Sequence, residues 1–181
     1  DKFTGKGVSD CTICDGPFFK NKKVAVIGGG RSGIFGTLFL LKLAKKIYLI
    51  EKDNKLKTGG GLKQFVDIIK KSKNVEIITN TSPIEIRGKE SVNELLLERN
   101  GKKEILPIDG VFVEIGYDPN TDFVKELVKT NNRGEIIVDK EGKTHTEGLF
   151  AAGDITDLEE KQVVVSVGDG AKATLAALLY L

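Results

Sequence analysis

The sequence predicts an α/β fold, and three observations carry that prediction. A short apolar run, Val24-Ala-Val-Ile27, ends in three glycines. A stretch with apolar residues at helical spacing follows. A second β-type run, Ile47-Tyr-Leu-Ile50, then completes a strand–helix–strand unit of about the 30 residues typical of a parallel crossover. Further on, two β-type runs flank Asn100-Gly101, the dipeptide that favours a tight antiparallel turn.

The elements follow in chain order. Residues 1–19 read as an irregular lead-in that holds both cysteines. Val24 to Ile27 fits a buried parallel strand entering a tight turn. From Ser32 to Lys45 the residues Ile34, Leu38, Leu41 and Ala44 repeat at helical spacing. After Gly59-Gly60-Gly61, the residues Leu62, Phe65, Val66 and Ile69 predict an amphipathic helix to about Lys71. Val75 to Ile78 is a third strand. Val92 to Arg99 and Glu104 to Ile108 form the antiparallel meander, and Val111 to Ile115 returns to the core. Gly116-Tyr-Asp-Pro-Asn120 is turn chemistry and marks a lobe boundary. Beyond it the pattern predicts a short helix (Phe123 to Val128), strands at Ile136 to Val138 and Leu149 to Ala152, and a final helix from about Ala171 to Leu181.

Composition narrows the function classes. The 181 residues carry 28 basic and 26 acidic side chains, a net charge of +2. Acidic and apolar residues interrupt the lysine clusters, so they read as a solvated face rather than a nucleic-acid footprint. No apolar run reaches the roughly 18 residues of a membrane span, and no signal peptide is visible. The expected setting is therefore cytoplasmic. The chain begins with Asp1 and contains no methionine, so the expectation is that sequence upstream is missing.

Gly28-Gly-Gly30-Arg31-Ser32-Gly33 has the spacing G-x-G-x-x-G between a strand and a helix, the context that gives the pattern physical meaning. Gly28 permits the tight turn, Gly30 admits a pyrophosphate against the backbone, and Gly33 lets helix and strand pack closely. The free N–H groups at the helix start then face the phosphates. Glu51, at the end of the second strand, stands where an acid accepts hydrogen bonds from the ribose of NAD. The other reading is an ordinary charged strand end. Lys52, Lys55 and Lys57 lie nearby, yet Glu51 would repel the extra phosphate of NADPH, so NADH is favoured.

Cys11 and Cys14 are the only cysteines. Two cannot complete a four-ligand structural zinc site. A bridge across so short a loop restricts the unfolded chain little. C-x-x-C spacing supports reversible dithiol–disulfide exchange. A metal contact shared with another chain and two inert thiols are the remaining readings. Asp15 directly follows, either as a proton carrier beside the thiols or as a turn former with Gly16 and Pro17. His145, the only histidine, reads as a surface residue.

Taken in order, these segments resemble the low-molecular-weight thioredoxin reductases and the related alkyl hydroperoxide reductase flavoproteins. Cys11-Thr-Ile-Cys14-Asp15-Gly16 is similar to their redox segment, and Val26 to Gly33 to their nicotinamide-cofactor motif. Ile115-Gly116-Tyr-Asp-Pro119-Asn120 resembles their interdomain segment. Gly148-Leu-Phe-Ala-Ala-Gly153-Asp154 and Gln162-Val163 with Gly168 to Ala171 resemble their flavin segments. The resemblance implies a hydride passing from NAD(P)H to FAD, then reduction of the cysteine pair, then of the disulfide in a thioredoxin-like small protein, in a homodimer. It implies that Asp154 bonds the FAD ribityl chain, that Gln162 and Val163 face the flavin, and that Asp15 is the acid beside the thiols.

The implied layout is a lead-in at 1–17 belonging to the nucleotide-binding domain, a Rossmann-like NAD(P)-binding domain with the meander at 18–115, and the C-terminal part of an FAD-binding lobe at 116–181. The family's FAD half opens with its own glycine turn upstream of the cysteines, and this chain has only one such turn. NADPH-dependent members carry a His-Arg-Arg cluster and a further Arg after the second strand. Here only Lys52 and Lys57 keep the charge, while Glu51 and Asp53 reverse it. Gly33 stands where alanine is usual. Two other classes fit these residues: a non-enzymatic dinucleotide-binding module, and a ferredoxin-driven flavin reductase with a vestigial nucleotide site.

Overall fold

The computed structural model describes residues 2–57 and 59–181. It comprises two compact units, Asp1–Gly116 and Tyr117–Leu181. The first is a parallel sheet covered on both faces, in keeping with the predicted α/β class. Its strands are β1 (Val8–Ser9), β2 (Lys23–Ile27), β3 (Lys46–Ile50), β4 (Val75–Ile78) and β8 (Gly110–Val113). They run in the order β1-β8-β2-β3-β4, every pair parallel.

Alternation along β2 decides what lies on each face. Val24 and Val26 point to one side, into a cluster with Ile34, Leu40, Ile47, Leu49, Val66, Ile69 and Phe112. That side is covered by α1 (Thr12–Asp15), α2 (Arg31–Leu40) and α3 (Lys63–Lys71). Ala25 and Ile27 point to the other, into a cluster with Ile50, Leu95, Leu97, Leu106 and Val111. That side is covered by the antiparallel meander of β5 (Thr81–Gly88), β6 (Val92–Arg99) and β7 (Lys102–Pro107). Each fully buried Val, Leu or Ile stabilises the fold by about 1.5–3 kcal/mol relative to exposure. A strand buried on both faces has no polar alternation, which is why β2 reads as a continuous apolar run.

The hairpin expected at Asn100-Gly101 joins β6 to β7. Both residues have positive φ, 51° and 75°, as a tight turn compatible with strand twist requires. Three short or disguised elements escape the sequence pattern. β1 has two residues and α1 has four, below any detectable period. β5 contains Pro83, which argues against a strand; the ladder accommodates it with a register shift between Pro83 and Glu85.

The second unit departs further from expectation. The helix predicted over Phe123 to Val128 is a single 3-10 turn, Asp122–Val124. The strands predicted at Ile136 to Val138 and Leu149 to Ala152 are isolated bridges, Ile136 with Thr130 and Thr156, and Phe150 with Lys143. The last helix, α4, spans Val163–Tyr180 and begins eight residues before the predicted Ala171. Gly168 and Gly170 lie inside it, each at a cost of about 1 kcal/mol against helix. The helix continues through them, its first backbone bond running from the Ser166 N–H to the Gln162 carbonyl. Among the described residues, α4 alone is long and apolar enough to cross a membrane by length and composition. Soluble folds also contain such helices, and α4 includes the ion pair of Asp169 with Lys172.

A buried carboxylate organises this unit. Glu135 is 1% exposed and accepts from the Tyr117 hydroxyl at 2.5 Å and the Asn131 amide at 2.6 Å. Arg133 and Lys161 pair with it at 2.9 and 3.3 Å. Burial pushes its pKa up, but the bonds from Tyr117, Asn131 and Lys161 prevail and hold it below the ordinary value. A lowered folded-state pKa contributes stability that is complete above the unfolded value, about 4.3 for glutamate, and that is lost as pH falls through the folded one. Glu135→Gln should therefore be less stable than wild type at pH 7, by about 1–3 kcal/mol. The gap should narrow progressively as pH falls below the unfolded value, as followed by urea unfolding across a series of acidic pH values.

Candidate active site

The glycine turn sits at the C-terminal edge of the parallel sheet, the edge at which open α/β sheets bind ligands. Gly28 has φ 112°, and a side chain there would meet the Glu114 carbonyl at 2.3 Å. A Cβ on Gly33 would lie 1.8 Å from the Gly28 carbonyl oxygen. The α2 helix thus starts in direct contact with the turn that precedes it. The close packing expected of Gly33 is present, with no room for the alanine usual at this position in the family it resembles unless the turn shifts. Gly30 differs from both. It caps α2, and nothing lies within 4 Å of where its Cβ would be. That open space faces the first N–H groups of the helix, with Arg31 and Ser32 exposed beside it. The Arg31 guanidinium rests over the Phe35 ring at 5.0 Å.

Glu51 directly follows β3 and is only 5% exposed. One carboxylate oxygen accepts from the Gly29 N–H at 2.7 Å, the other from the Asp53 N–H at 3.0 Å. The side chain therefore ties the glycine turn to the loop after β3. A carboxylate has about four acceptor sites, so two bonds do not exhaust it. The Lys57 N–H closes the same loop onto the Gly29 carbonyl at 3.0 Å. The loop borders an open depression lined by Lys52, Asp53, Lys55, Lys57 and Asn80.

Cys11 and Cys14 form a disulfide with Cα atoms 5.3 Å apart. Cys11 caps α1, and its sulfur accepts from the Cys14 N–H at 3.1 Å. The Cys11 N–H in turn donates to Ser9 Oγ at 3.0 Å, which anchors α1 to β1. Cys14 is exposed and Cys11 half-buried. Asp15 ends the helix, its N–H donating to the Cys11 carbonyl at 3.1 Å.

α1 packs on α2 through Thr12, which is 5% exposed. A Cβ on Gly36 of α2 would meet the Thr12 side chain at 2.8–2.9 Å. Beside this contact lies Glu114, a residue that sequence reasoning missed. Its Oε1 lies 3.4 Å from where a Cβ on Gly36 would be, and burial pushes the carboxyl's pKa up. The Ser32 hydroxyl donates to the Glu114 backbone carbonyl at 3.2 Å. The available signal was position: an acid just past a core parallel strand, at the edge where ligands bind.

Gly116 closes the first unit with φ 96°. In the second unit Gly153 (φ 79°) and Asp154 form a 3-10 turn. Ser166 Oγ donates to the Asp154 carboxylate at 2.9 Å, which brings that turn beside the first part of α4. Gln162 caps α4 without a side-chain bond, and Val163 is 79% exposed. Lys161, just before them, donates to the Thr156 carbonyl as well as pairing with Glu135. His145 is exposed, its Nδ1 accepting from the Lys129 N–H at 3.1 Å.

A disulfide helix thus packs on the helix that opens from the glycine turn, and the chain resembles known proteins. Residues 1–170 match the family described as pyridine nucleotide-disulphide oxidoreductase. The chain belongs to this family. It is 40% identical over 183 residues to a curated alkyl hydroperoxide reductase component of Staphylococcus aureus strain Mu50, covering 100% of this chain and 36% of the relative. The thioredoxin reductase of Giardia duodenalis superposes with a TM-score of 0.84 at 31% identity, covering 97% of this chain and 58% of that one. That of Streptococcus pyogenes MGAS5005 gives 0.83 at 32%, covering 97% and 57%. The chain thus spans about a third of the curated relative and somewhat over half of the solved ones.

Gly33→Ala is expected to lower stability by about 1–3 kcal/mol, the usual cost of overpacking. The thermal midpoint should fall by several degrees, and the displaced turn should weaken nucleotide binding measured by calorimetry.

Proposed function

We propose that this chain carries the nucleotide-binding and dithiol part of a flavin-dependent disulfide reductase. A hydride enters from NADH, and two electrons reach the Cys11–Cys14 disulfide and pass on to the disulfide of a thioredoxin-like small protein. The observation that carries the reading is the packing of α1, with its disulfide, directly on α2, whose N-terminus opens at Gly30. Membership of the pyridine nucleotide-disulphide oxidoreductase family supports it.

In this reading Gly28, Gly30, Arg31, Ser32 and Gly33 hold the pyrophosphate. Gly30 suits it because the space beside its backbone is open. Glu51 accepts from the adenosine ribose with its remaining lone pairs, and the loop with Lys52 and Lys57 borders that end of the ligand. The negative charge of Glu51 makes NADH the preferred donor.

Gly116 would terminate the nucleotide-binding unit. Gly153, Asp154, Gln162 and Val163 supply one side of a flavin site. Their fit rests on an exposed carboxylate at Asp154, uncapped N–H groups at the start of α4 and the exposed Val163. Bound FAD would accept the hydride and deliver electrons to the disulfide. Asp15 would hold or release the proton exchanged with the thiols.

Cys11 is the thiol assigned to exchange. Its sulfur accepts an N–H bond from Cys14, and a hydrogen bond to the charged form favours the thiolate. The thiolate attacks one sulfur of the partner disulfide, forming a mixed disulfide and releasing the partner's other sulfur as a thiolate. The Cys14 thiolate then attacks the Cys11 sulfur, which restores the Cys11–Cys14 bond and frees the reduced partner.

Two measurements test this. NADH at about 100 times its Kd should stabilise the chain by about 2.7 kcal/mol, and NADPH at the same concentration by clearly less. Equal or greater stabilisation by NADPH overturns the role given to Glu51, and no stabilisation by either overturns the nucleotide site. Second, at neutral pH a Cys14→Ser variant, which keeps Cys11, should react with a disulfide reagent faster than Cys11→Ser. The reverse order moves the exchange role to Cys14.

A further inference from the structure

We propose that Lys161 is a positioning residue for the flavin segments: anchored on Glu135, it holds the Gly153–Asp154 turn and the start of α4 in one fixed arrangement. Those two pieces come from separate stretches of the chain. The connection from Thr156 to Lys161 forms no helix, and Thr156 meets Ile136 only in an isolated bridge. Gln162 makes no side-chain bond at the start of α4, and Val163 is exposed. Something other than regular structure must therefore fix where α4 begins relative to the turn.

The Lys161 side chain is only 15% exposed. Its Nζ donates to the Thr156 carbonyl, pairs with Glu135 Oε1 at 3.3 Å and lies 5.6 Å from the centre of the Tyr117 ring. An ammonium has three donors, and a carbonyl, a carboxylate and a ring face occupy this one. Thr156 is fully buried and passes the restraint on. Its Oγ and its N–H both donate to the Gly153 carbonyl, at 2.7 and 3.0 Å. From the helix side, Ser166 Oγ donates to the Asp154 carboxylate at 2.9 Å. Lys161, Thr156, the Gly153–Asp154 turn and the first turn of α4 thus form a closed ring of bonds.

The ring is tied to a rigid point. Glu135 is buried and held by Tyr117 and Asn131. The next residue, Ile136, donates its N–H to the Ile155 carbonyl and accepts from the Asp157 N–H, both at 2.9 Å. The segment that carries Glu135 therefore grips the connection on either side of Thr156. A buried ion pair adds little stability over an apolar pair of similar volume, but only a cation can bond the carbonyl and the carboxylate at once. All the Lys161 contacts lie within this unit, so its effect on a ligand is exerted through the two segments it aligns. Alignment before the ligand arrives raises affinity by removing an ordering cost.

This role rests on the reading of Gly153, Asp154, Gln162 and Val163 as one side of a flavin site, and the experiment has an arm for each level. Amide hydrogen exchange is followed in the full chain without and with FAD, and FAD affinity is measured by quenching of flavin fluorescence. Without FAD, Lys161→Met should speed exchange of the Thr156 and Ser166 amides about tenfold or more, as loss of a charge-assisted bond implies. The Thr144 and Ala151 amides, in the same unit but outside the ring, should keep their wild-type rates. FAD should slow exchange at the start of α4 in wild type, and Lys161→Met should bind it about tenfold more weakly. Lys161→Arg, which keeps the cation and its donors, should restore both. Glu135→Gln removes the anchor, should loosen the same two amides, and serves if Lys161→Met does not fold. Unchanged exchange at Thr156 and Ser166, or equal acceleration throughout the unit, overturns the proposal. So does wild-type FAD affinity in a variant whose ring has loosened. Failure of FAD to bind wild type overturns the flavin reading beneath the proposal and the proposal with it.

Discussion

The backbone of the glycine turn runs so close to its neighbours that there is no room for side chains at two of its positions. Gly33 abuts the Gly28 carbonyl, and Gly28 abuts the Glu114 carbonyl. This contact sets where α2 begins relative to β2 and β8. The start of α2 in turn defines the open space at Gly30, and α2 provides the surface on which α1 packs. A turn displaced by even an ångström would move the cap of α2, the Ser32 hydroxyl and the contact at Gly36 together, because packed interiors transmit strain rather than absorb it.

Two glutamates hold that turn from opposite sides. The Glu51 carboxylate bonds the Gly29 N–H from the β3 side, and the Glu114 backbone carbonyl accepts from the Ser32 hydroxyl on the β8 side. They differ in surroundings. Glu51 is satisfied by backbone N–H groups and binds loop to turn. The Glu114 carboxyl lies beside the contact of α1 with α2, and burial pushes its pKa up. The second unit shows the same economy. Glu135, at the centre of Tyr117, Asn131, Arg133 and Lys161, stands in for the sheet that this unit lacks.

The helices and strands of the first unit were legible because they are long and doubly buried. Val24 to Ile27, Ile47 to Ile50 and Val75 to Ile78 are apolar runs of strand length, and Asn100-Gly101 names its own turn. The second unit was less legible. Its chain is held by isolated bridges and side-chain bonds rather than by periodic elements, so runs such as Ile136 to Val138 resemble strands without having a partner ladder. At the site, the glycines and cysteines could be read because each needs a specific residue type at a specific spacing. Thr12 and Glu114 could not, because a hydroxyl and a carboxyl are common everywhere and neither belongs to a spacing rule.

By itself, the sequence determined the α/β class, the glycine turn between strand and helix, the cysteine pair and the family they point to. These are local properties, written in composition and in spacings of a few residues. Only the tertiary structure decided that α1 packs on α2, that Glu51 turns inward to the Gly29 N–H, and that Thr12 and Glu114 both lie beside Gly36. Thr12 and Glu114 are about a hundred residues apart in the chain, and no local pattern relates them. They meet because β1 pairs with β8 and β8 with β2, a parallel arrangement that brings the ends of distant segments to one edge of the sheet.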